Sequence, residues 1–157
     1  MTTDRTIIIA EIGECFNGDW GVARRLIGEA KEAGCDIVKF QTLDYENISE
    51  DDTEKEWFKK IALDPEKIGI LIKYAREAGI DILFTPENIK TARWLLDAGL
   101  KEVKIASNTV ADKELIKFIN ECFTQVFMST GMASLDEIND AVECLNNVKY
   151  LYIMHCI

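Results

Sequence analysis

The sequence predicts an α/β fold in which helices cover a parallel β-sheet, and three observations predict it. Short β-rich runs alternate with helical patterns from one end of the chain to the other. Hydrophobicity is continuous along each β-rich run, as in strands that are buried on both faces. Polar residues follow each run, at the strand ends where α/β folds bind their ligands.

Six runs have the length and composition of buried strands, and the chain ends in or just after the sixth. They are Ile7–Ala10, Ile37–Phe40, Ile82–Phe84, Val103–Ala106, Val126–Met128 and Tyr150–Met154. An open doubly wound sheet that binds a dinucleotide should carry G-x-G-x-x-G after its first strand. The sequence there reads EIGECFNGDWG, so we favour a (β/α)8-type barrel.

A complete barrel of this type takes about 250 residues, whereas this chain has 157. About six βα units are therefore present, and the last two strands of a barrel are absent. We interpret residues 1–157 as the N-terminal portion of a barrel whose remainder would come from elsewhere.

Capping residues mark the ends of several predicted helices. Gly34 follows an apolar helical stripe as a C-terminal cap. Asp64 is a predicted N-cap with Pro65 at the first helical position, and Ser134 and Glu137 have the spacing of a capping box. The other predicted segments are helices at 88–98 and 112–122, and a polar insertion at 44–63 that forms a loop with a short helix over the rim.

Charge and cysteine content exclude several classes of partner and compartment. The net charge is −10, from 28 acidic and 18 basic residues, which argues against nucleic acid or an anionic membrane as a partner. No apolar run approaches the ~20 residues that span a bilayer, and the N-terminal run is too short for a signal peptide. Five cysteines without a C-x-x-C pair favour a reducing, cytoplasmic compartment, where we expect them to be core residues.

Hydrogen-bonding residues concentrate at the predicted carboxyl ends of the strands, which predicts a ligand site there. They are Glu11, Lys39, Gln41, Thr42, Thr85, Glu87, Lys104, Ser107, Ser129, Thr130, Gly131, His155 and Cys156. A single histidine at a strand end is more commonly a core residue, so we assign no role to His155.

Two lysines stand in matching positions in the segments AGCDIVKFQT and AGLKEVKIAS. Lys39 and Lys104 each follow a valine and lie five residues after a glycine. Side chains alternate along a strand, so matching registers would point both lysines into the same interior layer. Phe84 has the equivalent position on the third strand, so its neighbour Thr85 would point inward instead.

Two ammonium groups in one buried layer repel each other and lose hydration. A dianion between them would remove both penalties. We therefore predict a site for a phosphate or a phosphoenol carboxylate, with the hydroxyls of Thr85, Ser107 and Ser129 around it. The alternative is structural: a strand lysine that pairs with a carboxylate such as Glu11.

These residues resemble the sialic acid synthase family in order and spacing. The motifs that carry the resemblance are IIIAEIG followed by NGD, VKFQT, FTP, VKIAS, STGMASLDEI and HC, and they extend over the whole chain. The family condenses phosphoenolpyruvate with N-acetylmannosamine or a related aldose to give nonulosonic acids. Its fold is a (β/α)8 barrel, usually followed by a small antifreeze-like domain, which is absent from this chain, and its members are homo-oligomers.

The resemblance implies roles for seven residues. They are Glu11, Lys39 and Lys104 as catalytic residues and Gln41, Thr85, Ser107 and Ser129 as substrate-binding residues. Glu11 and Gln41 would face the sugar and a divalent metal, manganese or magnesium, whose usual ligands follow the last residue of this chain. The sequence departs from the family at Cys15-Phe16, Glu87 and Asn108-Thr109, on the acceptor side.

Two other functions remain open from the sequence. A Schiff-base aldolase also uses a barrel lysine, and a neighbouring ammonium would lower the pKa of that lysine. A non-catalytic binding or interaction protein would bind phosphoenolpyruvate or a sugar without turnover and would associate through the edges of its first and sixth strands.

Overall fold

The computed structural model describes residues 5–156, and within them six strands alternate with helices as predicted. The strands are β1 (Ile9–Gly13), β2 (Ile37–Thr42), β3 (Asp81–Pro86), β4 (Glu102–Ile105), β5 (Gln125–Ser129) and β6 (Tyr150–Met154). The helices are α1 (Trp20–Glu32), α2 (Lys55–Ile61), α3 (Pro65–Ala78), α4 (Ile89–Asp97), α5 (Lys113–Cys122) and α6 (Leu135–Cys144). Strand β1 begins later than predicted because its partner β2 begins at Ile37, which pairs with Ile9.

All strand pairs are parallel, and the strands follow their sequence order. Strands β1, β2 and β3 form one hydrogen-bonded sheet, and β4, β5 and β6 form a second. Strands β3 and β4 lie side by side, so the six strands curve into part of a barrel. The predicted fold, an incomplete (β/α)8-type barrel, is confirmed.

The two faces of the strands have different cores. The outer face packs against the helices through a large cluster that includes Val38, Phe84 and Val126. The inner face carries a smaller cluster around Leu83 and Phe127. Burial on both faces explains why β2, β3 and β5 have nearly continuous apolar runs.

The register of β3 corrects one prediction about the interior. Lys39 pairs with Leu83, whereas Phe84 pairs with Phe40 and packs in the outer cluster. Phe84 is therefore not the interior equivalent of Lys39, because the β2–β3 ladder aligns Asp81 with Ile37. Alternation from Leu83 still turns Thr85 to the interior, as predicted.

The caps and the insertion are as predicted from the sequence. The Asp64 carboxylate accepts a hydrogen bond from the Lys67 amide at the start of α3, and Ser134 and Glu137 form a capping box before α6. The insertion contains a 3-10 turn, Tyr45–Asn47, and helix α2. Helix α2 of the insertion contacts the loop after β1, since the Trp57 indole donates to the Asn17 side-chain oxygen at 3.0 Å.

The prediction that the cysteines and His155 are core residues is corrected at Cys15 and at His155, which are both exposed. None of the five cysteines is fully buried, and Cys15 is exposed. His155 is also exposed, rather than a core residue. Cys35, Cys122 and Cys144 are partly buried and pack against the outer cluster, whereas Cys15 and His155 lie in the segments that follow β1 and β6. No helix among residues 5–156 is long and apolar enough to cross a membrane.

Strands β1 and β6 form the two outer edges of the described sheets. A cavity of about 770 Å³ lies between them and is lined by Ile7, Ile9, Tyr152 and Met154 among others. On the outer side of β6, Ile153 is 56% exposed. Unpaired strand edges beside apolar surface favour pairing with another chain.

We predict that this chain self-associates through the β6 edge, so its weight-average mass in light scattering will rise with protein concentration. The substitution Ile153→Lys should shift the association to higher concentration, because a charge on an edge strand opposes strand addition. Leu135→Lys is the matched control, since Leu135 is 78% exposed and belongs to helix α6 rather than to an edge strand. A constant monomer mass for the wild type, or equal effects of the two variants, would contradict the prediction.

Candidate active site

A buried lysine and an exposed carboxylate meet at the carboxyl end of β1 and β2. Glu11 and Lys39 are paired residues of the parallel ladder. The Lys39 Nζ lies 3.0 Å from Glu11 Oε2, and the lysine side chain is only 2% exposed whereas Glu11 is 57% exposed. The same ammonium donates to Thr85 Oγ1 at 3.0 Å. The structure therefore brings three predicted site residues together.

The second lysine has a matching partner on the neighbouring strand. Lys104 pairs in register with Phe127 of β5, whose side chain faces the barrel interior. Its Nζ donates to Ser129 Oγ at 2.5 Å, and the side chain is partly buried. Each lysine thus has one hydroxyl partner from the adjacent strand, Thr85 for Lys39 and Ser129 for Lys104.

The two ammonium groups are close enough to affect one another. Burial lowers the pKa of Lys39 below its usual range, and the charges of Glu11 and Glu14 oppose this only in part. Burial also lowers the pKa of Lys104, and the positive charge of Lys39 lowers it further. Both lysines would regain affinity for a proton if an anion bound between them.

Glu14 is a site residue that the sequence reasoning missed. Its Oε1 accepts a hydrogen bond from the Gln41 side-chain amide at 2.9 Å, and Gln41 pairs with Thr85 on the next strand. Glu14 follows EIG directly, but it lies beyond the end of β1. Only the path of this loop, rather than strand alternation, brings it toward the lysines.

Thr42 and Ser107 are two further rim residues predicted from the sequence. The Thr42 hydroxyl is buried and donates to the Thr85 carbonyl at 3.1 Å, which ties β2 to β3. Ser107 is partly buried in the 3-10 turn Ser107–Thr109 that follows β4. It stands after the same strand as Lys104.

Cys156, one of the rim residues predicted from the sequence, contacts the end of β5. Its Sγ accepts a hydrogen bond from the Gly131 amide at 3.1 Å. Burial raises the pKa of the Cys156 thiol, but hydrogen bonds from Gly131 and Thr130 and the charge of Lys104 outweigh it and leave the pKa below its usual range. A Cβ on Gly131 would lie 2.9 Å from the Cys156 carbonyl oxygen, so the ends of β5 and β6 approach closely.

The described residues do not form a metal site. No group of three or more histidine, cysteine, aspartate or glutamate side chains within 5–156 is arranged to hold an ion. The carboxylate at the rim, Glu11, is engaged with Lys39.

Three comparisons with known proteins give the same assignment. Residues 26–157 match the model of the NeuB family. The chain is 32% identical to the N,N'-diacetyllegionaminic acid synthase of Campylobacter jejuni, over 97% of this chain and 51% of that protein. It therefore spans about half the length of the curated relatives that it matches.

The structural comparisons agree on both the fold and the relatives. The structure of an N-acetylneuraminic acid synthetase from Leptospira borgpetersenii matches with a TM-score of 0.90 and 26% identity, over 98% of this chain and 55% of that one. A 3-deoxy-D-arabino-heptulosonate 7-phosphate synthase from Thermotoga maritima matches with a TM-score of 0.69 at 13% identity, over 96% of this chain and 50% of that one, which bears on the fold alone. The chain belongs to the NeuB family.

Proposed function

We propose that this chain serves in the condensation of phosphoenolpyruvate with an N-acetylmannosamine-like aldose, which gives a nonulosonic acid and phosphate. The observation that carries the proposal is the pair of lysines on β2 and β4. Lys39 is almost fully buried and Lys104 is partly buried. Their positive charges repel each other. Such a pair fits a ligand that brings two negative charges, as phosphoenolpyruvate does through its phosphate and carboxylate.

The proposed reaction forms one carbon–carbon bond and breaks one carbon–oxygen bond. The methylene carbon of phosphoenolpyruvate attacks the aldehyde carbon of the open-chain aldose, whose oxygen takes up a proton. Water adds to the carbon that bears the phosphate. That carbon then releases inorganic phosphate with its bridging oxygen and becomes the keto carbon of the product, so one water is consumed for each phosphate released.

We assign the roles from the contacts of each side chain. Lys39 and Lys104 would bind and orient the phosphate and carboxylate, with Thr85, Ser129 and Ser107 as hydroxyl partners. Ammonium groups positioned in a water-poor layer would also stabilise the charge that develops on the leaving phosphate. Glu11 would keep Lys39 protonated when the site is empty, and Gln41, held by Glu14, would face the acceptor sugar.

The resemblance implies a divalent metal, manganese or magnesium, for polarising the aldehyde. The side chains of residues 5–156 do not fit such an ion, since they offer no group of three ligands. We therefore assign no step of the reaction to a metal.

The other proposed properties concern compartment and assembly. All five cysteines are free thiols, which supports a reducing compartment such as the cytoplasm. The edges of β1 and β6 support assembly with another copy or with a further polypeptide segment. We propose neither nucleic acid nor a membrane as a partner, given the net charge of −10.

We predict that calorimetric titration with phosphoenolpyruvate will detect one site per chain in the wild type. Lys39→Met and Lys104→Met should each weaken binding by about tenfold or more, because each removes a charge-assisted hydrogen bond. Methionine keeps the length and packing volume of the side chain. Lys117→Met is the matched control on the exposed surface of α5.

Two results would contradict this prediction. One is the absence of phosphoenolpyruvate binding in a folded wild-type sample. The other is wild-type affinity in folded Lys39→Met and Lys104→Met, with circular dichroism used to confirm folding. Equal losses in Lys117→Met would mean that the effect is one of overall charge.

We also predict that phosphoenolpyruvate binding takes up protons in alkaline solution and weakens as pH rises. The pKa values of Lys39 and Lys104 in the free protein are lowered from 10.5, and a bound anion favours the ammonium form, so protons enter between the lowered and the usual pKa. Titrations in buffers of different ionisation enthalpy measure this uptake. A proton count of zero throughout the alkaline range would contradict the prediction.

The lowered pKa values of Lys39 and Lys104 also determine how the stability of the folded chain changes with pH. A lysine whose pKa is lower in the folded state binds fewer protons there than in the unfolded state. The penalty for the two buried ammonium groups is therefore present at neutral pH and is relieved as pH rises through their lowered pKa values.

A Schiff-base aldolase is the second candidate, and the lowered pKa of the two lysines favours it. Reduction with borohydride in the presence of pyruvate would trap a covalent adduct on Lys39 or Lys104, which mass spectrometry would locate. We expect no adduct, because Lys39 and Lys104 would bind an anion rather than form a covalent bond. An adduct on either lysine would favour the aldolase instead.

A further inference from the structure

A small pocket opens beside the lysine site at the carboxyl ends of β2, β3 and β4. Its volume is about 180 Å³, and its polar lining includes Gln41, Thr85, Glu87, Asn108 and Thr109. A cavity of this size is smaller than the 300–1,000 Å³ of pockets for whole drug-sized ligands. It fits one substituent of a ligand whose remainder lies outside it.

The pocket is continuous with the lysine site through shared residues. Thr85 lines the pocket, and its Oγ1 also accepts the hydrogen bond from Lys39. Gln41 lines the pocket as well, and its amide nitrogen is held by Glu14. A ligand that reacts with a molecule bound at the lysines could therefore extend into this pocket.

Glu87 places a fixed carboxylate in the pocket. Its Oε2 accepts a hydrogen bond from the Asp44 amide at 2.6 Å, and its own amide donates to Thr91 Oγ1 at 3.0 Å. Thr91 belongs to the capping box that begins α4. The insertion therefore holds the Glu87 side chain through Asp44, and helix α4 holds the Glu87 backbone through Thr91.

The charge of Glu87 is not neutralised by a lysine or arginine among residues 5–156. The nearby Lys90 instead pairs with Asp44 at 2.9 Å and with Glu46 at 2.7 Å. The carboxylates near the lysines therefore share the rim with ammonium groups, whereas Glu87 has no cationic partner among residues 5–156.

We propose that this pocket selects the acceptor by binding a substituent that donates hydrogen bonds and carries no negative charge, with Glu87 as the specificity-determining residue. This inference rests on the proposed function, since it assumes an acceptor that meets phosphoenolpyruvate at the lysines. An amino or hydroxyl substituent would donate to the Glu87 carboxylate, and Asn108 and Thr109 would supply further polar contacts. A protonated amine should bind more tightly than its acetylated form, because only the amine adds a positive charge opposite the Glu87 carboxylate.

Glu87→Gln separates recognition from a purely structural role. Glutamine keeps a side-chain oxygen that can accept the hydrogen bond from the Asp44 amide, and it has the same shape. It removes only the negative charge. Glu121→Gln is the matched control, since Glu121 is an exposed carboxylate on α5 outside the pocket.

The experiment titrates the nitrogen-15-labelled chain with D-mannosamine and with N-acetyl-D-mannosamine at neutral pH, each with and without phosphoenolpyruvate. The side-chain amide signals of Asn108 and Gln41 report occupancy of the pocket. We expect both signals to shift and D-mannosamine to bind more tightly. Glu87→Gln should weaken D-mannosamine by about tenfold and N-acetyl-D-mannosamine much less, and Glu121→Gln should change neither.

Three outcomes would overturn the inference. They are the absence of sugar-induced shifts in the wild type, equal or weaker binding of D-mannosamine, and a preference that persists in Glu87→Gln. The phosphoenolpyruvate titration in the same samples reads the lysine site separately. Phosphoenolpyruvate binding without the sugar preference would refute the pocket alone, whereas the sugar preference without phosphoenolpyruvate binding would refute the donor site.

Discussion

The burial of two lysines on the inner faces of β2 and β4 is the constraint on which the rest of the site depends. An ammonium group that loses its hydration needs hydrogen-bond partners and opposite charge. Lys39 obtains these from Glu11 and Thr85, whereas Lys104 has the Ser129 hydroxyl and a repulsive neighbour in Lys39. Burial outweighs the charges of the nearby carboxylates and lowers the pKa of both lysines, and this favours an anionic ligand over a purely structural role.

The parallel fold produces this arrangement because it aligns the carboxyl ends of successive strands. Glu11 stands opposite Lys39 in the ladder, and Gln41 stands opposite Thr85. Helices cover the outer face, so polar side chains on the inner face meet only one another at the rim. Loops then contribute further contacts. Glu14 after β1 accepts a hydrogen bond from Gln41, and Asp44 in the insertion holds the Glu87 carboxylate. One end of the barrel thus carries the two lysines with their carboxylate and hydroxyl partners, and beside them the Glu87 carboxylate.

Much of this could be predicted from the sequence, because hydrophobic runs and repeated spacing are local properties. The equal distance from Gly34 to Lys39 and from Gly99 to Lys104 predicted the lysine pair, and strand alternation predicted that Thr85 faces inward. The alignment of β3 with β2 could not be predicted, since it depends on where the preceding loop delivers the strand, and Leu83 rather than Phe84 faces the interior. The approach of Glu14 likewise follows from tertiary packing of loops and strand ends.

The measurement that tests the central claim most directly is the pKa of each lysine, read by carbon-13 NMR of the Lys39 and Lys104 side chains across an alkaline titration. Spectra of the wild type with and without phosphoenolpyruvate would be assigned with the single methionine variants. We expect both pKa values to lie below 10.5 in the free chain and phosphoenolpyruvate to raise both. Ordinary pKa values that phosphoenolpyruvate leaves unchanged would contradict this expectation.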